Sequence, residues 1–419
     1  MDYKLFKYNN INVHTVRTDK FKNCSIEIMF RNKMDINKIT SINMLIDTMT
    51  YSCKKYPTRR DLAIAMENLY STSIRGGSTR LGNYLFTSFV VDFLNPKYCD
   101  DNYLNDVLDL FYEVLFNPNI ENKEFDKRSF NIAKNRLQAN IETEKESPVK
   151  YAVLRSHYHM DKDSLSSYSL VGNLKDLKKI STSNLVNTYN YLFNESSIEI
   201  YIIGNMDMND IVKLLKKKFI FNNKNEKINN LLIHNKLCNK VKNIEELGHY
   251  EQDSFIMLFN LDKLTEREKN FVLPVYNSIF GNGGLTAKLY KYIREENSLC
   301  YNLFSNYQKY DSLLMIYVGL NAKDKDKCIS LVNKALDEMK NGIFDDEDLI
   351  NAKKSILNNI YISLDSPGGM INNYFMNNID NIPLPEERIK LYNSITKEEV
   401  MELGNKIKLN VIYILKGSE

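Results

Sequence analysis

This chain of 419 residues has little net charge, no closely spaced pair of cysteines and no long apolar run. Its 56 basic and 53 acidic residues give a net charge of +3, too balanced to imply a nucleic-acid or membrane partner. No stretch approaches the roughly 18 apolar residues of a membrane span, and the N-terminus lacks the apolar segment of a signal peptide. We therefore expect a cytoplasmic protein.

The cysteines form no C-x-x-C pair and are scattered along the chain: Cys24, Cys53, Cys99, Cys238, Cys300 and Cys328. In a chain of this length they indicate reduced, mostly structural thiols. The composition, 43% hydrophobic and 26% charged, is ordinary for a soluble globular protein.

One segment of the sequence is present twice, 219 residues apart. Residues 125–148 match residues 344–367 without a gap at 8 of 24 positions, and the identities fall in adjacent pairs. Because this spacing is about half of the chain, the repeat predicts one domain built twice. The length fits two domains of roughly 200 residues each.

The two halves also correspond element by element. Each is predicted to contain two apolar strands and two helices before the repeated segment, and a terminal strand after it. In the first half we predict strands at 24–30, 84–91 and 198–203, with helices near 40–53 and 102–116. In the second we predict strands at 254–259, 313–318 and 411–415, with helices near 265–280 and 324–340.

The repeated segment itself has the 3/4 spacing of apolar residues that predicts a helix. Ser181 and Thr396 are predicted helix N-caps, and Thr396 forms a capping box with Glu399. Strands cluster away from long helix pairs, so each half is predicted to be α+β. We predict an N-terminal domain at 1–220, an Asn/Lys-rich linker at 221–247 and a C-terminal domain at 248–419.

A stretch in the second half resembles a known family. Residues 289–301 read LYKYIREENSLCY and follow the glycine-rich turn 281–284. They are similar to the L-(x)-R-E-x-x-G-L-A-Y stretch of the pitrilysin/insulinase-type zinc peptidases (inverzincins), and further landmarks cover nearly the whole chain. The resemblance implies two homologous α+β domains, each a mostly antiparallel sheet packed with helices, in the LuxS/MPP-like metallohydrolase fold.

Within this stretch, Arg294 and Tyr301 are seven residues apart, as are the paired Arg and Tyr of the family. The resemblance implies that they bind substrate near the scissile peptide and stabilise the developing oxyanion. A guanidinium and a phenol both donate hydrogen bonds to a peptide carbonyl. The alternative is that Arg294 only packs or forms a salt bridge.

The family's zinc motif is degenerate in this chain. Family members carry H-x-x-E-H on the first helix, where the histidines bind zinc and the glutamate is the general base. That motif aligns with residues 44–48, MLIDT, so Met44 and Thr48 replace the histidines and Asp47 replaces the glutamate. A thioether and a hydroxyl are poor ligands for Zn²⁺.

The family's third zinc ligand, a carboxylate on a later helix, is missing too. Its candidate positions fall on Ala133 and Asn140. Ala352 and Asn359 occupy the same places in the second copy of the repeat, and the family binds no metal there. The first half therefore has the residues of a non-catalytic half.

The sequence offers weaker alternatives for a functional site. The five histidines, none in an H-E-x-x-H or H-x-x-E-H motif, are His14, His157, His159, His234 and His249. His157 and His159 with Asp161 would form a weak metal site on an extended segment, but on a helix they diverge, so surface or helix-end histidines are favoured. The glycines at 281–284 lack the Lys-Ser/Thr ending of a P-loop, which favours a turn that delivers the Arg294 helix.

The resemblance therefore predicts a catalytically inactive zinc-peptidase-like subunit of the small bacterial processing-protease type. It implies a heterodimer with an active H-x-x-E-H-bearing homologue, or a homodimer without one, and a peptide substrate. Zinc is expected only in the partner, and no cofactor in this chain. The resemblance extends to the non-catalytic member of a pair linked to 5-aminopentanol modification of elongation factor P. Two alternatives are a stand-alone zinc metallopeptidase with atypical ligands and a non-proteolytic binding or scaffold protein.

Overall fold

The computed structural model describes residues 2–222, 224–233, 235–236, 240–261 and 263–417. His234 and Cys238 lie outside these residues. The chain divides into two compact units. The first holds the described residues up to Glu142, Ser169–Asn230 and Leu364–Phe375. The second holds Thr143–Tyr168, Leu231–Ser363 and the described residues from Met376 onward.

The first unit is built on a six-stranded sheet. Its strands are β1 (Asp2–Tyr8), β2 (Ile11–Arg17), β3 (Asn23–Lys33), β4 (Ser73–Leu81), β5 (Tyr84–Leu94) and β8 (Ser197–Gly204). Two short strands, β6 (Ile120–Glu121) and β7 (Glu124–Phe125), pair separately. The sheet order is β1-β2-β8-β3-β5-β4, and β2–β8 is its parallel pair.

The second unit repeats this sheet with five strands. They are β9 (Lys242–Leu247), β10 (Ser254–Leu261), β11 (Cys300–Gln308), β12 (Leu313–Leu320) and β13 (Ile407–Lys416). Their order, β11-β12-β10-β13-β9, reproduces β4-β5-β3-β8-β2 strand for strand, including the parallel pair. The predicted duplication is therefore present in the topology.

The end of the segment predicted as a linker, 221–247, is structured. Its last six residues form β9, the counterpart of β2, in parallel register with β13. The segment KNIEEL does not show the alternating apolar pattern typical of a strand. Only Ile244 and Glu246 are partly buried in it, and one of these is charged.

The helices lie against these sheets. In the first half they are α1 (Ile39–Tyr51), α2 (Arg59–Asn68), α3 (Tyr103–Phe116), α4 (Lys127–Glu146), α5 (Pro148–Met160), α6 (Leu174–Lys179), α7 (Thr182–Glu195) and α8 (Met208–Lys218). In the second they are α9 (Leu273–Asn277), α10 (Lys325–Lys340), α11 (Asp346–Ser363), α12 (Pro367–Asp380), α13 (Pro385–Asn393) and α14 (Lys397–Gly404). Among the described residues, no helix has the length and apolar character needed to cross a membrane.

The predicted helix near 265–280 is interrupted. Two π-helical turns, Glu268–Val272 and Ser278–Asn282, flank α9, and a third spans Tyr290–Glu295. The predicted N-caps are confirmed, because the side chain of Ser181 caps α7 and Thr396 with Glu399 forms the capping box of α14.

Each sheet is covered on its second face by a helix from the other half of the chain. In the second unit α5 buries Ala152 and Met160 in a cluster with Tyr413 of β13. In the first unit the start of α12 brings Phe375 against Phe86 and Tyr201, with ring centroids 5.1 and 6.1 Å apart. The compact units therefore cross the domain boundaries predicted from the repeat.

Gly76 of β4 lies where α1 approaches the first sheet closely. A Cβ at this position would lie 2.7 Å from Cγ2 of Ile46, whereas a Cβ at Gly77 would meet nothing within 4 Å. We expect Gly76→Ala to lower the free energy of unfolding by about 1–3 kcal/mol through overpacking, and Gly77→Ala to change it by no more than about 0.5 kcal/mol. Urea unfolding of both variants measures the difference. Equal stabilities would contradict the tight packing of α1 on β4.

Candidate functional site

The two positions aligned with the zinc-binding histidines lie on the buried face of α1. Met44 is 0% exposed and Thr48 is 2% exposed. Their i,i+4 spacing places both on one side of the helix. The Thr48 hydroxyl donates a hydrogen bond to the Met44 carbonyl oxygen at 2.7 Å, so its hydrogen is already used within the helix.

Asp47, at the position of the family's general base, is half-buried on the same helix. Burial raises the pKa of its carboxyl, and the guanidinium charge of Arg136 on α4 opposes that rise. A carboxyl held toward its neutral form, with methionine and threonine at the aligned histidine positions, lacks the environment that a base acting on metal-bound water needs.

The two candidate positions for the third ligand diverge in the structure. Ala133 is 1% exposed in the first core, whereas Asn140 is exposed on α4. Ala352 and Asn359 repeat the same pattern on α11. The aligned side chains are the thioether of Met44, the hydroxyl of Thr48, which is hydrogen-bonded within the helix, the methyl group of Ala133 and the exposed amide of Asn140. These groups do not fit a zinc site. Within the described ranges, no three His, Cys, Asp or Glu side chains come together as a metal site.

His157 and His159, the alternative metal ligands, contact different partners. His157 is buried, with Nδ1 2.8 Å from the Val153 carbonyl oxygen and Nε2 2.9 Å from Oε1 of Gln308. His157 therefore lies in the last turn of α5, at a helix end as expected, but it is buried rather than on the surface. His159 instead contacts the Glu246 carboxylate at 2.7 Å.

Asp161, the third member of that weak metal-site alternative, follows the end of α5. Its Oδ2 accepts a hydrogen bond from the Lys236 backbone at 3.1 Å. Since His157, His159 and Asp161 each have a different partner, they do not converge on one point.

Arg294 and Tyr301 are brought together in the second unit. The guanidinium carbon of Arg294 lies 5.6 Å from the ring centroid of Tyr301 and 5.7 Å from that of Tyr290. Both distances are within the range of a cation–π contact. Tyr301 is 85% exposed, and Glu295 approaches Arg294 only to 3.9 Å. Arg294 is therefore held by two aromatic rings rather than by a close salt bridge.

Tyr290 was missed in the sequence. Its i,i+4 spacing from Arg294 on a helical segment is the signal that identifies it, because residues four apart share a helix face. The backbone there is π-helical, with the Glu296 N–H donating to the Lys291 carbonyl at 2.9 Å. Such turns are frequent at functional sites.

A β-bulge sets the direction of Tyr301. Tyr301 lies in β11, the edge strand of its sheet, and the pairing with β12 shifts register between Cys300 and Asn302. A bulge leaves its extra residue unpaired and turns that residue's side chain. The glycine-rich turn packs closely nearby, since a Cβ at Gly281 would lie 2.5 Å from Oγ of Ser305 on β11.

An open cavity of about 840 Å³ adjoins Tyr301. Its lining is mostly polar and includes Glu251, Gln252, Ser298, Cys300 and Lys323. Burial raises the pKa of the Cys300 thiol to about 11, although Arg294 opposes the rise, so this thiol is not poised as a nucleophile. The arrangement offers exposed hydrogen-bond donors beside a polar cavity.

Comparison with known proteins agrees with this geometry. Residues 179–356 match the model of the Peptidase M16 inactive domain. Over 420 aligned residues the chain is 25% identical to the probable inactive metalloprotease YmfF of Bacillus subtilis, covering 99% of this chain and 97% of that protein.

Solved structures share the fold. A conserved protein from Enterococcus faecalis superposes with a TM-score of 0.94 at 22% identity, covering 100% of this chain and 99% of that one. A peptidase M16 inactive domain from Pseudomonas fluorescens superposes with a TM-score of 0.80 at 16% identity, covering 100% and 98%. The resemblance to the pitrilysin/insulinase-type peptidases is thereby confirmed: residues 179–356 match the Peptidase M16 inactive domain, and nearly the whole chain is similar to a probable inactive metalloprotease.

Proposed function

We propose that this chain is a non-catalytic subunit that binds peptide at Arg294 and Tyr301, while a homologue carrying H-x-x-E-H supplies zinc and the general base. The observation that carries the proposal is the contrast between the two sites. The zinc-motif positions Met44 and Thr48 are buried, and the Thr48 hydroxyl is hydrogen-bonded to the Met44 carbonyl oxygen. Tyr301 is 85% exposed, and Arg294 lies against its ring.

The chemistry of this pair suits a peptide carbonyl. A guanidinium has five N–H donors and a phenol has one O–H donor, so both can donate to an oxygen that gains negative charge. The Arg294 guanidinium contacts the rings of both Tyr290 and Tyr301, and these contacts limit the rotamers of Arg294 before substrate arrives. The side-chain entropy lost on binding is therefore smaller.

Association with an active homologue is the testable part of this proposal. Size-exclusion chromatography of this chain mixed with an H-x-x-E-H-bearing homologue from the same genome should give a heterodimer. Peptide cleavage should require both chains and the partner's intact motif. A homodimer of this chain is the expected state without the partner. If no complex forms and the homologue cleaves peptides equally well alone, the proposal fails in favour of a scaffold role.

Metal content separates the proposal from a stand-alone peptidase. We expect the purified chain to hold well below one zinc per molecule by atomic emission after dialysis against micromolar zinc, because its aligned donors do not fit the ion. Stoichiometric zinc that is lost in His159→Ala would contradict the proposal. A cytoplasmic setting and a link to elongation factor P modification belong to the same proposal and rest on sequence resemblance.

A further inference from the structure

A second cavity, of about 400 Å³, lies in the second unit near the turn that follows β11, at the opposite end of that strand from Tyr301. The end of β10, the first π-helical turn, the β11–β12 turn and the extended segment around Ile233 line it. The Ile233 N–H donates to the Tyr310 carbonyl at 2.7 Å, which fixes that segment against the turn. Neither the zinc-motif positions nor Arg294 takes part.

Two lysines with little solvent exposure line this cavity. The Lys269 side chain is 8% exposed and donates one hydrogen bond, to Glu266, whose own side chain is 72% exposed. The Lys309 ammonium donates to Asn270 at 2.8 Å and to Asp380 at 2.7 Å. Each ammonium has three N–H donors, so among the described residues Lys269 has two without a hydrogen-bond partner and Lys309 has one. The Lys309 ammonium also lies 4.7 Å from the Tyr310 ring centroid.

Asn260 adds an amide to the lining of the cavity. It lies at the end of β10, is 6% exposed and lines the cavity. Among the residues that the structure describes, no hydrogen bond engages its side chain. An amide at a cavity wall can both donate and accept hydrogen bonds to a ligand. An amide facing a cavity beside two ammonium groups is a feature expected of a ligand site.

The rest of the lining is mixed, since Ile233 and four leucines lie beside Asn235, Lys263, Asp311 and Ser312. Leu232, Leu261, Leu264 and Leu273 form one part of the wall. A mostly apolar cavity with a few convergent polar groups is typical of small-molecule sites. Burial lowers the pKa of Lys309 despite the opposing charge of Asp380, and a bound anion would favour its charged form.

We propose that this cavity binds a small organic carboxylate with an apolar body, its carboxylate held by Lys269, Lys309 and Asn260 and its body against the leucines. A singly charged planar head fits better than a phosphate. The Asp311 carboxylate also lines the cavity and repels a second negative charge, and the lining includes no arginine.

Isothermal titration of the full chain with octanoate tests the proposal. We expect saturable one-site binding by the wild-type chain. Lys269→Met should weaken it at least tenfold, because the variant keeps an unbranched side chain of nearly the same length and removes the charge. Octanamide, which has the same body without charge, should bind at least tenfold more weakly, and inorganic phosphate should not compete. The exposed Lys327→Met on α10, outside the cavity, is the matched control and should bind octanoate normally.

A second variant distinguishes a binding role from a structural one. Asn260→Leu removes the amide at similar volume, so we expect weaker octanoate binding together with an unchanged or higher melting temperature. A structural role for the amide would lower the melting temperature instead. The proposal is overturned if the wild-type chain shows no saturable binding, if Lys269→Met binds normally, or if octanamide or phosphate binds as well as octanoate.

Discussion

Replacement of Arg294 by alanine should lower kcat/KM for peptide cleavage by the proposed heterodimer about 100-fold, near the lower end of the range for loss of one oxyanion donor. The loss is expected because the guanidinium, placed against Tyr301, would donate to the carbonyl oxygen as negative charge develops on it. Arg294→Lys should recover only part of the rate, since an ammonium cannot form the planar, two-pronged contact. Steady-state kinetics of the reconstituted pair measure both variants.

Two controls make this prediction specific. Lys291→Ala removes a nearby exposed cation from the same helical turn and should leave kcat/KM unchanged. Tyr301→Phe keeps the ring against Arg294 and removes only the hydroxyl, so it isolates the phenol's hydrogen bond. Complex formation should be measured for every variant, because lost assembly would mimic lost catalysis. Turnover unaffected by Arg294→Ala would remove this residue from the mechanism.

Glu246→Gln should destabilise the second unit by about 2–3 kcal/mol at pH 7, in proportion to the lowered pKa of this carboxyl. Glu246 on β9 accepts hydrogen bonds from Arg155 and His159 of α5 and from Tyr413 of β13. Its side chain is 22% exposed, so solvent screens these contacts only in part. The contacts join α5 to the sheet, so their loss should also loosen that helix.

The pH dependence of this stabilisation has a definite sign. The Arg155 hydrogen bond, with those of His159 and Tyr413, outweighs burial and lowers the pKa of Glu246 from 4.5 to about 2. Because the folded pKa lies below the unfolded value, the stabilisation is fully present above about pH 4.5. It is lost as the pH falls from there toward 2. Urea unfolding of wild type and Glu246→Gln should differ at pH 7 and converge near pH 2.

The neighbouring Glu245 is a matched control. It also pairs with two cations, Lys325 and Lys416, but its side chain is 47% exposed. Exposed ion pairs contribute no more than about 1 kcal/mol, so Glu245→Gln should have a much smaller effect. Equal destabilisation by the two variants would show that the contact with α5 has no special importance.

Much of the fold could be read from local patterns. Apolar strands, helix caps and the repeated helix depend on residues close in sequence, and their periodicity and capping chemistry carry through to the structure. The repeat at 125–148 and 344–367 correctly predicted one α+β fold built twice, now visible as matching strand orders. The residues aligned with the zinc ligands were also fixed by sequence, since no burial or geometry turns methionine, threonine or alanine into imidazole or carboxylate.

The tertiary structure decided what depends on contacts between distant residues. The amphipathic patterns of α5 and α12 do not specify which sheet each helix covers, and in fact each covers the sheet of the other half. Strand β9 needed β13 as a neighbour before its weak pattern became a strand. The Tyr290–Arg294–Tyr301 contact likewise required the π-helical turn and the bulge of β11, which sequence spacing does not encode. Local free energies specify the elements, whereas long-range packing selects their partners.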